Sequence, residues 1–322
     1  MEDFVGIDLG ATNITVVVGS VDDLSGKVTR PTPRGPSGID VTEAVLETVR
    51  DACDRAGMEP TSIAAGAIGS FGPLDLAEGM VVEPANLPAD VHQIPLTGPC
   101  AELLDAPVYL HNDTTAGVIG ERFVATESPG DMVYLTISTG IGAGVAVDGH
   151  VLAGWDGNAG EVGHIPIDPC GRMRCGCGAT GHWEAYCSGS GIPRYATSLF
   201  ESERIGETTL PIGDANFSAA DVFANPEDPL ADMVIERVGR WNAIGLASVV
   251  HAYAPMVVAV GGAVALENEE AILQPMRERL DEHVMTNVPE VRLTSLGTDM
   301  VALGALASAM TAGTGDSVRV PS

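Results

Sequence analysis

Residues 4–19 read FVGIDLGATNITVVVG, and residues 133–147 read VYLTISTGIGAGVAV. In each stretch two apolar, β-branched segments flank a turn rich in glycine, a pattern that predicts a β-hairpin. Such turns bind phosphate where unpaired backbone N–H groups converge and no side chain blocks the approach. One glycine turn alone indicates no more than a tight turn. Its repetition predicts two α/β lobes whose phosphate-binding hairpins face one cleft.

The rest of the chain alternates between predicted helices and strands. Apolar residues at helical spacing predict helices at residues 41–56, 114–124, 230–251 and 300–310. Short apolar runs predict strands at residues 63–68, 108–110, 256–260 and 291–296. The glycines at 140, 142 and 144 run into a strand, whereas a dinucleotide-binding fingerprint leads into a helix. The pattern therefore disfavours a dinucleotide-binding fold.

The charge balance is strongly acidic. The chain has 322 residues, of which 16 are basic and 44 acidic, so its formal net charge is −28. Little positive charge is available to neutralise phosphates, which argues against a nucleic-acid partner. Lys27 is the only lysine, and an acidic excess with so little lysine resembles halophilic proteins that work in molar salt. An ordinary acidic protein from a low-salt organism remains the alternative.

The sequence shows no membrane or targeting segment. The acidic start of the chain lacks the basic region of a signal peptide. The longest apolar run, residues 256–266, is too short to cross a bilayer core of about 30 Å. We therefore expect a cytoplasmic protein with no membrane partner, in which cysteines are thiols or metal ligands rather than disulfides.

Several short motifs are more specific in combination than any of them is alone. They are Asp8–Thr12 (DLGAT), Asn112–Asp113, Ser138–Gly142 (STGIG), Glu161–His164 (EVGH), Cys175–Glu184 (CGCGATGHWE), Gly261–Gly262 and Gly304–Ala305. In type and order they resemble the ROK family of sugar kinases, within the actin/hexokinase-like ATPase superfamily. The resemblance covers nearly the whole chain.

This resemblance implies an α/β fold with two lobes, the actin/hexokinase-like (ribonuclease H-like) ATPase fold, with a central cleft and a small zinc-bound loop. Residues 1–112, with a C-terminal helix at about 300–322, are expected to form a smaller N-terminal lobe. Residues 113–299 are expected to form a larger α/β lobe that carries the zinc loop at 164–184.

The implied activity is ATP-dependent phosphorylation of glucose at O6, which yields glucose 6-phosphate. Alternative substrates are mannose, fructose, N-acetylglucosamine and N-acetylmannosamine, and ADP or polyphosphate are alternative donors. An alternative of another class is a sugar-sensing regulator of the same family. Such regulators carry a DNA-binding segment ahead of the first phosphate motif, whereas Asp8 arrives almost at once here. The resemblance also implies a homo-oligomer, either a dimer or a tetramer.

On the nucleotide side, the resemblance implies that Asp8 holds Mg²⁺ through water, since Mg²⁺ gives up its hydration reluctantly. The implied set of nucleotide and phosphate contacts is Asp8, Gly10, Thr12, Thr139, Gly140, Gly142, Gly261 and Gly262. Asn13 stands where relatives often carry a lysine, so one phosphate contact is absent.

On the sugar side, Asp113 is the implied general base, which accepts the proton of the attacking hydroxyl. Its position between a strand and a helix also fits a plain helix N-cap, and both roles can hold. The implied ligands of sugar hydroxyls are Asn86, Asn112, Glu161, His164 and Glu184.

The zinc motif is the sharpest of these signals. Cys175 and Cys177 with His182 and His164 supply four ligands of the types that Zn²⁺ prefers. The family pattern has a cysteine where this chain has His182, and imidazole serves without a change of geometry. The alternative is that Cys170 takes the place of His182. With four positions filled, the zinc would be structural.

Overall fold

The first hairpin forms as the sequence predicts. In the computed structural model, Phe4–Leu9 pairs with Asn13–Gly19 in antiparallel register, with Asp8 opposite Thr15. The structure describes residues 2–20, 23–84, 87–88, 90–124, 129–155, 157–203 and 205–316.

The strands are β1 (Phe4–Leu9), β2 (Asn13–Gly19), β3 (Leu24–Pro31), β4 (Ala65–Ser70), β5 (Leu74–Asp75), β6 (Met80–Val82), β7 (Gln93–Pro95), β8 (Val108–Asn112), β9 (Met132–Ile137), β10 (Ile141–Val147), β11 (His150–Val151), β12 (Val257–Gly261) and β13 (Glu290–Leu293). The helices are α1 (Gly38–Ala56), α2 (Thr97–Leu104), α3 (Asp113–Val124), α4 (Glu184–Cys187), α5 (Gly191–Ser202), α6 (Ala219–Phe223), α7 (Pro229–Tyr253), α8 (Ala263–Glu267), α9 (Glu269–Arg279) and α10 (Met300–Met310).

The chain divides into two compact units. The first comprises Met1–Gly130, Gly144–Ala159 and Ser295–Ser322, and the second comprises Asp131–Ala143 and Gly160–Thr294. The expected N-terminal domain ended at residue 112, but the first unit also takes in α3. The reason is packing, because α3 lies against α10, which itself packs on β1 and β4.

The first unit is built on a five-stranded sheet with the order β3-β2-β1-β4-β8. β1, β4 and β8 run parallel, while β2 and β3 continue the sheet with antiparallel pairs. One face carries a buried core that joins the sheet to α1 and α2 and includes Val5, Ile7, Ile14 and Val45. A small sheet with the order β5-β6-β7, which the sequence pattern does not predict, also belongs to this unit.

The other face of this sheet receives α10. Gly6 and Gly304 allow this close approach, because a Cβ on Gly6 would lie 2.2 Å from the carbonyl oxygen of Ala302. A Cβ on Gly304 would lie 1.8 Å from the carbonyl oxygen of Ala116 in α3. The C-terminal helix thus returns to the N-terminal unit through backbone contacts that larger residues would block.

In the second unit, β9, β12 and β13 run parallel, with Val257 opposite both Met132 and Glu290. They belong to a five-stranded sheet with the order β11-β10-β9-β12-β13, in which β9 and β10 form the second predicted hairpin. The strand predicted at 291–296 ends at Leu293, because Gly297–Asp299 turns into a 3₁₀ helix ahead of α10.

Helix boundaries follow local capping chemistry. Ser37 caps α1 by accepting the backbone N–H of Ile39, and Gly57 ends α1 in the left-handed conformation at φ 70°. Asp228 caps α7, whose first residue is Pro229. Among the residues that the structure describes, no helix combines the length and apolar character needed to cross a membrane.

Candidate active site and metal centre

In the first unit, the parallel strands bring Asp8 and Asp113 to the same edge of the sheet. Asp8, near the end of β1, lies opposite Gly69 of β4. The next residue of β4, Ser70, lies opposite Asn112 at the end of β8. Asp113 follows as the first residue of α3. The carboxyl ends of parallel strands, where open α/β sheets bind ligands, therefore gather the predicted base and the predicted magnesium ligand.

Asp8 lies in an unusual electrostatic environment. Burial raises the pKa of its carboxyl, and the negative charges of Asp113 and Asp299 raise it further, to about 7. Asp299 belongs to this group although sequence reasoning missed it. Its Oδ2 lies 2.5 Å from Nζ of Lys27. The two neighbouring negative charges that disfavour the ionised form of Asp8 would favour a cation there, and the half-buried Asp8 fits the implied Mg²⁺ ligand.

Asn112 and Asp113 both contact the start of α3. Asn112 Oδ1 accepts hydrogen bonds from the backbone N–H and the hydroxyl of Thr114, at 3.0 and 2.8 Å. Asp113 Oδ1 accepts the same N–H at 2.7 Å. Helix capping is therefore shared, and the side chain of Asn112 supplies a cap even without the Asp113 carboxylate.

The first phosphate turn is fixed by its carbonyl groups. The Gly10 N–H donates to the carbonyl oxygen of Asn13 at 2.9 Å, and the hydroxyl of Thr32 donates to the carbonyl oxygen of Gly10 at 2.7 Å. The Thr32 N–H donates to the carbonyl oxygen of Thr12 at 2.9 Å. These bonds hold the turn in one conformation, with Thr12 exposed at its surface.

In the second unit, the turn Thr139–Gly142 and the pair Gly261–Gly262 lie at one edge of the second sheet. β12 runs parallel to β9, and Gly261 lies opposite Thr136, shortly before the turn. Gly262 has φ 88°, and a Cβ there would lie 2.5 Å from the carbonyl oxygen of Ile137. Only glycine allows these two backbones to approach in this way.

The predicted sugar ligands Glu161, His164 and Glu184 come together in the second unit. His164 Nε2 lies 3.7 Å from Glu161 Oε2. Burial raises the pKa of Glu161, the proximity of His164 opposes this, and the charge of Glu184 adds to it. Two neighbouring carboxylates can accept several hydroxyl protons at once, which is the chemistry that a sugar requires. Asn86, the remaining predicted sugar ligand, lies outside the described residues.

The four predicted zinc ligands form one group. The ligand atoms of His164, Cys175, Cys177 and His182 all lie within 4.8 Å of one another. Sγ of Cys175 lies 3.6 Å from Nδ1 of His164, and Sγ of Cys177 lies 3.3 Å from Nδ1 of His182. Two thiols and two imidazoles in such a group match the donor set that Zn²⁺ prefers.

The geometry separates Cys170 from this group. Cys170 is exposed, and among the residues described it does not belong to the metal-binding group, whereas His182 does. The His164 ring directs Nδ1 toward Cys175 and Nε2 toward Glu161. A carboxylate beside the far nitrogen is the usual way in which a metal-binding imidazole is oriented.

Sequence reasoning missed the residues that support this loop. Asp168 is 3% exposed, and its Oδ2 accepts hydrogen bonds from the hydroxyl of Tyr186 at 2.6 Å and from Nε of Arg172 at 3.2 Å. Tyr186 in turn accepts the Met173 N–H at 3.0 Å. Burial raises the pKa of Asp168, but these bonds and the N–H of Cys170 outweigh it and hold the pKa below its usual range. Neither residue type signals such a role in the sequence.

Trp183, between His182 and Glu184, anchors the end of the loop in the core. Its side chain is 0% exposed, and its indole N–H donates to Asn242 Oδ1 of α7 at 2.8 Å. A Cβ on Gly245 would lie 2.3 Å from the indole ring, so α7 offers a matching depression. The backbone around His182 and Glu184 is therefore fixed by packing.

The chain is similar to known proteins over nearly its whole length. The family model described as the ROK family matches residues 4–312. A protein named glucokinase from Pyrobaculum calidifontis is 34% identical over 309 residues, which cover 96% of this chain and 95% of that protein.

Two solved structures share the fold. The ROK hexokinase from Thermus thermophilus is 34% identical with a TM-score of 0.79, over 96% of this chain and 98% of that one. A ROK family glucokinase from Streptomyces griseus, solved with glucose and AMPPNP, is 27% identical with a TM-score of 0.73, over 96% of this chain and 99% of that one. From its motifs, its fold and these matches, the chain belongs to the ROK family.

Proposed function

We propose that this protein is an ATP-dependent glucokinase that transfers the γ-phosphoryl group of ATP to O6 of glucose. The observation that carries the proposal is the similarity, over nearly the whole chain, to proteins named glucokinase. The acidic edge of the first unit and the carboxylate pair of the second unit supply the chemistry that this reaction needs.

Asp113 acts as the general base. Its carboxylate accepts the proton of the glucose O6 hydroxyl as the bond from O6 to the γ-phosphorus forms. The bond from that phosphorus to the β–γ bridging oxygen breaks, and ADP leaves with the electron pair. The position of Asp113 at the start of α3 supports this role, because a helix N-terminus favours the ionised carboxylate.

Asp8 would hold the magnesium ion. When bound, Mg²⁺ neutralises the negative charge of the β- and γ-phosphates. Hydrogen bonds to those phosphates are assigned, on the family resemblance alone, to the two glycine turns at Thr12 and at Thr139–Gly140. The negative charges of Asp113 and Asp299 that raise the pKa of Asp8 support a cation at this edge.

The sugar is oriented by side chains with strong acceptor groups. Glu161 and Glu184 accept from its hydroxyls, and Asn86 and Asn112 are carried over on the family resemblance alone. His164 has its Nδ1 beside Cys175 and its Nε2 beside Glu161. We therefore assign Nδ1 to the metal and Nε2, together with Glu161, to the sugar.

The Cys₂His₂ group holds a structural zinc ion. Residues 165–183 contain only isolated bridges, Pro166 with His182 and Arg174 with Thr180, in place of regular strands. A metal cross-link can fix such a segment, where regular backbone pairing is sparse. Because Glu161 and Glu184 flank this segment, the zinc would fix the sugar ligands indirectly.

The experiment is a sugar panel with Mg²⁺ and ATP, ADP or polyphosphate as donor, at low salt and in molar KCl. The panel holds glucose, mannose, fructose, N-acetylglucosamine and N-acetylmannosamine. We expect ATP and glucose to give a kcat/KM at least about tenfold above any other pair. A higher kcat/KM with another sugar or donor would replace glucose or ATP in the proposal. No turnover by a folded protein would favour a sugar-sensing regulator. Light scattering on the same preparation tests the proposed homo-oligomer.

A further inference from the structure

The carboxylate of Glu184 lies directly on the second phosphate turn. Its Oε2 accepts the backbone N–H of Ile141 at 3.0 Å. A Cβ on Gly140 would lie 2.6 Å from the same oxygen. The space above the glycine of this turn is therefore occupied by a negatively charged oxygen from α4, the helix that follows the metal-binding loop.

A carboxylate oxygen and a phosphate oxygen make the same demand on a backbone N–H. Each is a charged acceptor, and charge-assisted hydrogen bonds are the strong ones. The contact shows that the Ile141 N–H is available to an anion. It also means that a phosphate at this N–H has to displace Glu184, since two negative oxygens at one donor would repel each other.

Hydrogen bonds fix the backbone on both sides of this contact, so the side chain of Glu184 is the part that can move. The Gly189 N–H donates to the carbonyl oxygen of Ser138 at 2.7 Å, and the hydroxyl of Ser190 donates to the carbonyl oxygen of Thr139 at 2.9 Å. At the other end of α4, Trp183 is held in the core by Asn242. A rotation of the Glu184 side chain therefore leaves both the turn and α4 in place.

We propose that Glu184 is a positioning residue that makes nucleotide binding depend on the sugar. Without sugar, its carboxylate occupies the Ile141 N–H and opposes a phosphate there. Sugar hydroxyls draw the carboxylate away and release this N–H for the phosphate of ATP. The inference rests on the proposed function, in which Glu184 accepts from sugar hydroxyls and the turn binds phosphate. Its consequence is that ATP binds more tightly once a sugar is present.

The test measures AMPPNP binding with Mg²⁺ by calorimetry, with and without glucose. For the wild-type protein we expect glucose to tighten AMPPNP binding about tenfold, in the usual range for coupled sites. In Glu184→Gln the charge is lost while the shape is kept, so AMPPNP without glucose should bind roughly three- to tenfold more tightly than to wild type. Glucose should then change AMPPNP affinity less than about twofold.

Glu161→Gln is the matched control. It removes one negative charge from the same neighbourhood, but the hydrogen bond to Ile141 comes from Glu184. Affinity for AMPPNP without glucose should therefore rise clearly more in Glu184→Gln than in Glu161→Gln. Glu184→Asp, which is one methylene shorter, is the second variant should Glu184→Gln fail to fold. Its carboxylate should no longer reach the Ile141 N–H, so AMPPNP without glucose should again bind more tightly than to wild type.

Equal AMPPNP affinities in wild type, Glu184→Gln and Glu161→Gln without glucose would overturn the inference, as would an absence of coupling in the wild type. These results differ from failure of the proposed function. A protein that phosphorylates glucose but binds AMPPNP independently of glucose contradicts only the role of Glu184. A protein that phosphorylates no sugar and binds no AMPPNP contradicts both.

Discussion

The two units build their functional groups in opposite ways. In the first unit, Asp8 lies near the end of strand β1 and Asp113 begins helix α3, so both are held by regular secondary structure that packs on a buried core. In the second, Cys175 and Cys177 lie in a segment with only isolated bridges. Regular elements can hold mutually repelling carboxylates in place, as the raised pKa of Asp8 indicates. The irregular loop of the second unit has little regular backbone pairing, so in the proposed function a metal cross-link helps to hold its side chains.

This contrast predicts that changes at the first site alter chemistry with little effect on folding. Asp113→Asn should lower kcat for sugar phosphorylation by about 10²- to 10⁴-fold, the usual contribution of a general base. The capping bond from Asn112 to Thr114 persists, so the melting temperature should change little. Steady-state kinetics and circular dichroism measure the two effects. A fall in kcat of less than about tenfold, or unfolding of the variant, would contradict this difference between the two units.

Changes at the second site should instead alter folding. Cys177→Ser should abolish the bound zinc, measured as metal per chain by mass spectrometry, and lower the melting temperature. Each kcal/mol of lost stability corresponds to roughly 2 to 4 °C for a unit of this size.

Cys170→Ser is the control for this loop, because the exposed Cys170 lies in the same segment but outside the metal-binding group among the residues described. It should keep its full zinc content. Zinc loss in Cys170→Ser together with full retention in His182→Ala would show that the ligand set is wrong.

The regular packing of the first unit can be broken at Gly304. Gly304→Ala places a methyl group where a Cβ would lie 1.8 Å from the carbonyl oxygen of Ala116. We expect a loss of about 3 kcal/mol, at the upper end of ordinary overpacking costs. Denaturant unfolding measures it. Gly98→Ala is the control, since nothing lies within 4 Å of a Cβ there, and it should change stability by less than about 1 kcal/mol. Equal effects of the two substitutions would contradict this account of α10.

The smallest expected effect concerns Asp228, the cap of α7 in the second unit. Burial raises the pKa of its carboxyl, but hydrogen bonds from Thr209, Ala231 and Thr208 outweigh it and lower the pKa to about 2. Because the folded pKa lies below the unfolded value of about 3.9, the stabilisation is present above pH 4 and lost as the pH falls toward 2.

Asp228→Asn replaces these charge-assisted hydrogen bonds with neutral ones. It should therefore cost about 1 kcal/mol at pH 7, and the difference from wild type should shrink in acid. Urea unfolding at pH 7 and pH 3 measures it. The exposed Asp232, in the first turn of the same helix, supplies the control Asp232→Asn. If the difference in unfolding free energy between wild type and Asp228→Asn grew in acid, the Asp228 carboxylate would not be the stabilising group.

Much of the fold was predictable because its signals are local. The two hairpins follow from β-branched runs around glycine turns, and they are confirmed. Three of the predicted metal ligands lie in one short motif, and His164 precedes it by eleven residues, so their grouping also follows from spacing. The sheet formed by β5, β6 and β7 was missed, because strands of two or three residues are too short to show periodicity.

Other features depend on contacts between distant segments, which a single sequence does not reveal. Asp299 reaches Asp8 only because α10 packs back onto β1. Asp168 supports the metal-binding loop only because Tyr186 folds over it. The choice between Cys170 and His182 as ligand was also open in the sequence, and it depends on the path of the loop.

The single lysine has a practical consequence. Lys27 offers the only side-chain amine in the chain, and its ammonium pairs with Asp299, whose charge acts on Asp8. An amine-directed reagent would therefore attach, apart from the chain's α-amino group, at one position only. Acylation of Lys27 removes a positive charge beside Asp8, Asp113 and Asp299 without a mutation. A dye coupled to Lys27 would report on cations that bind near these three carboxylates.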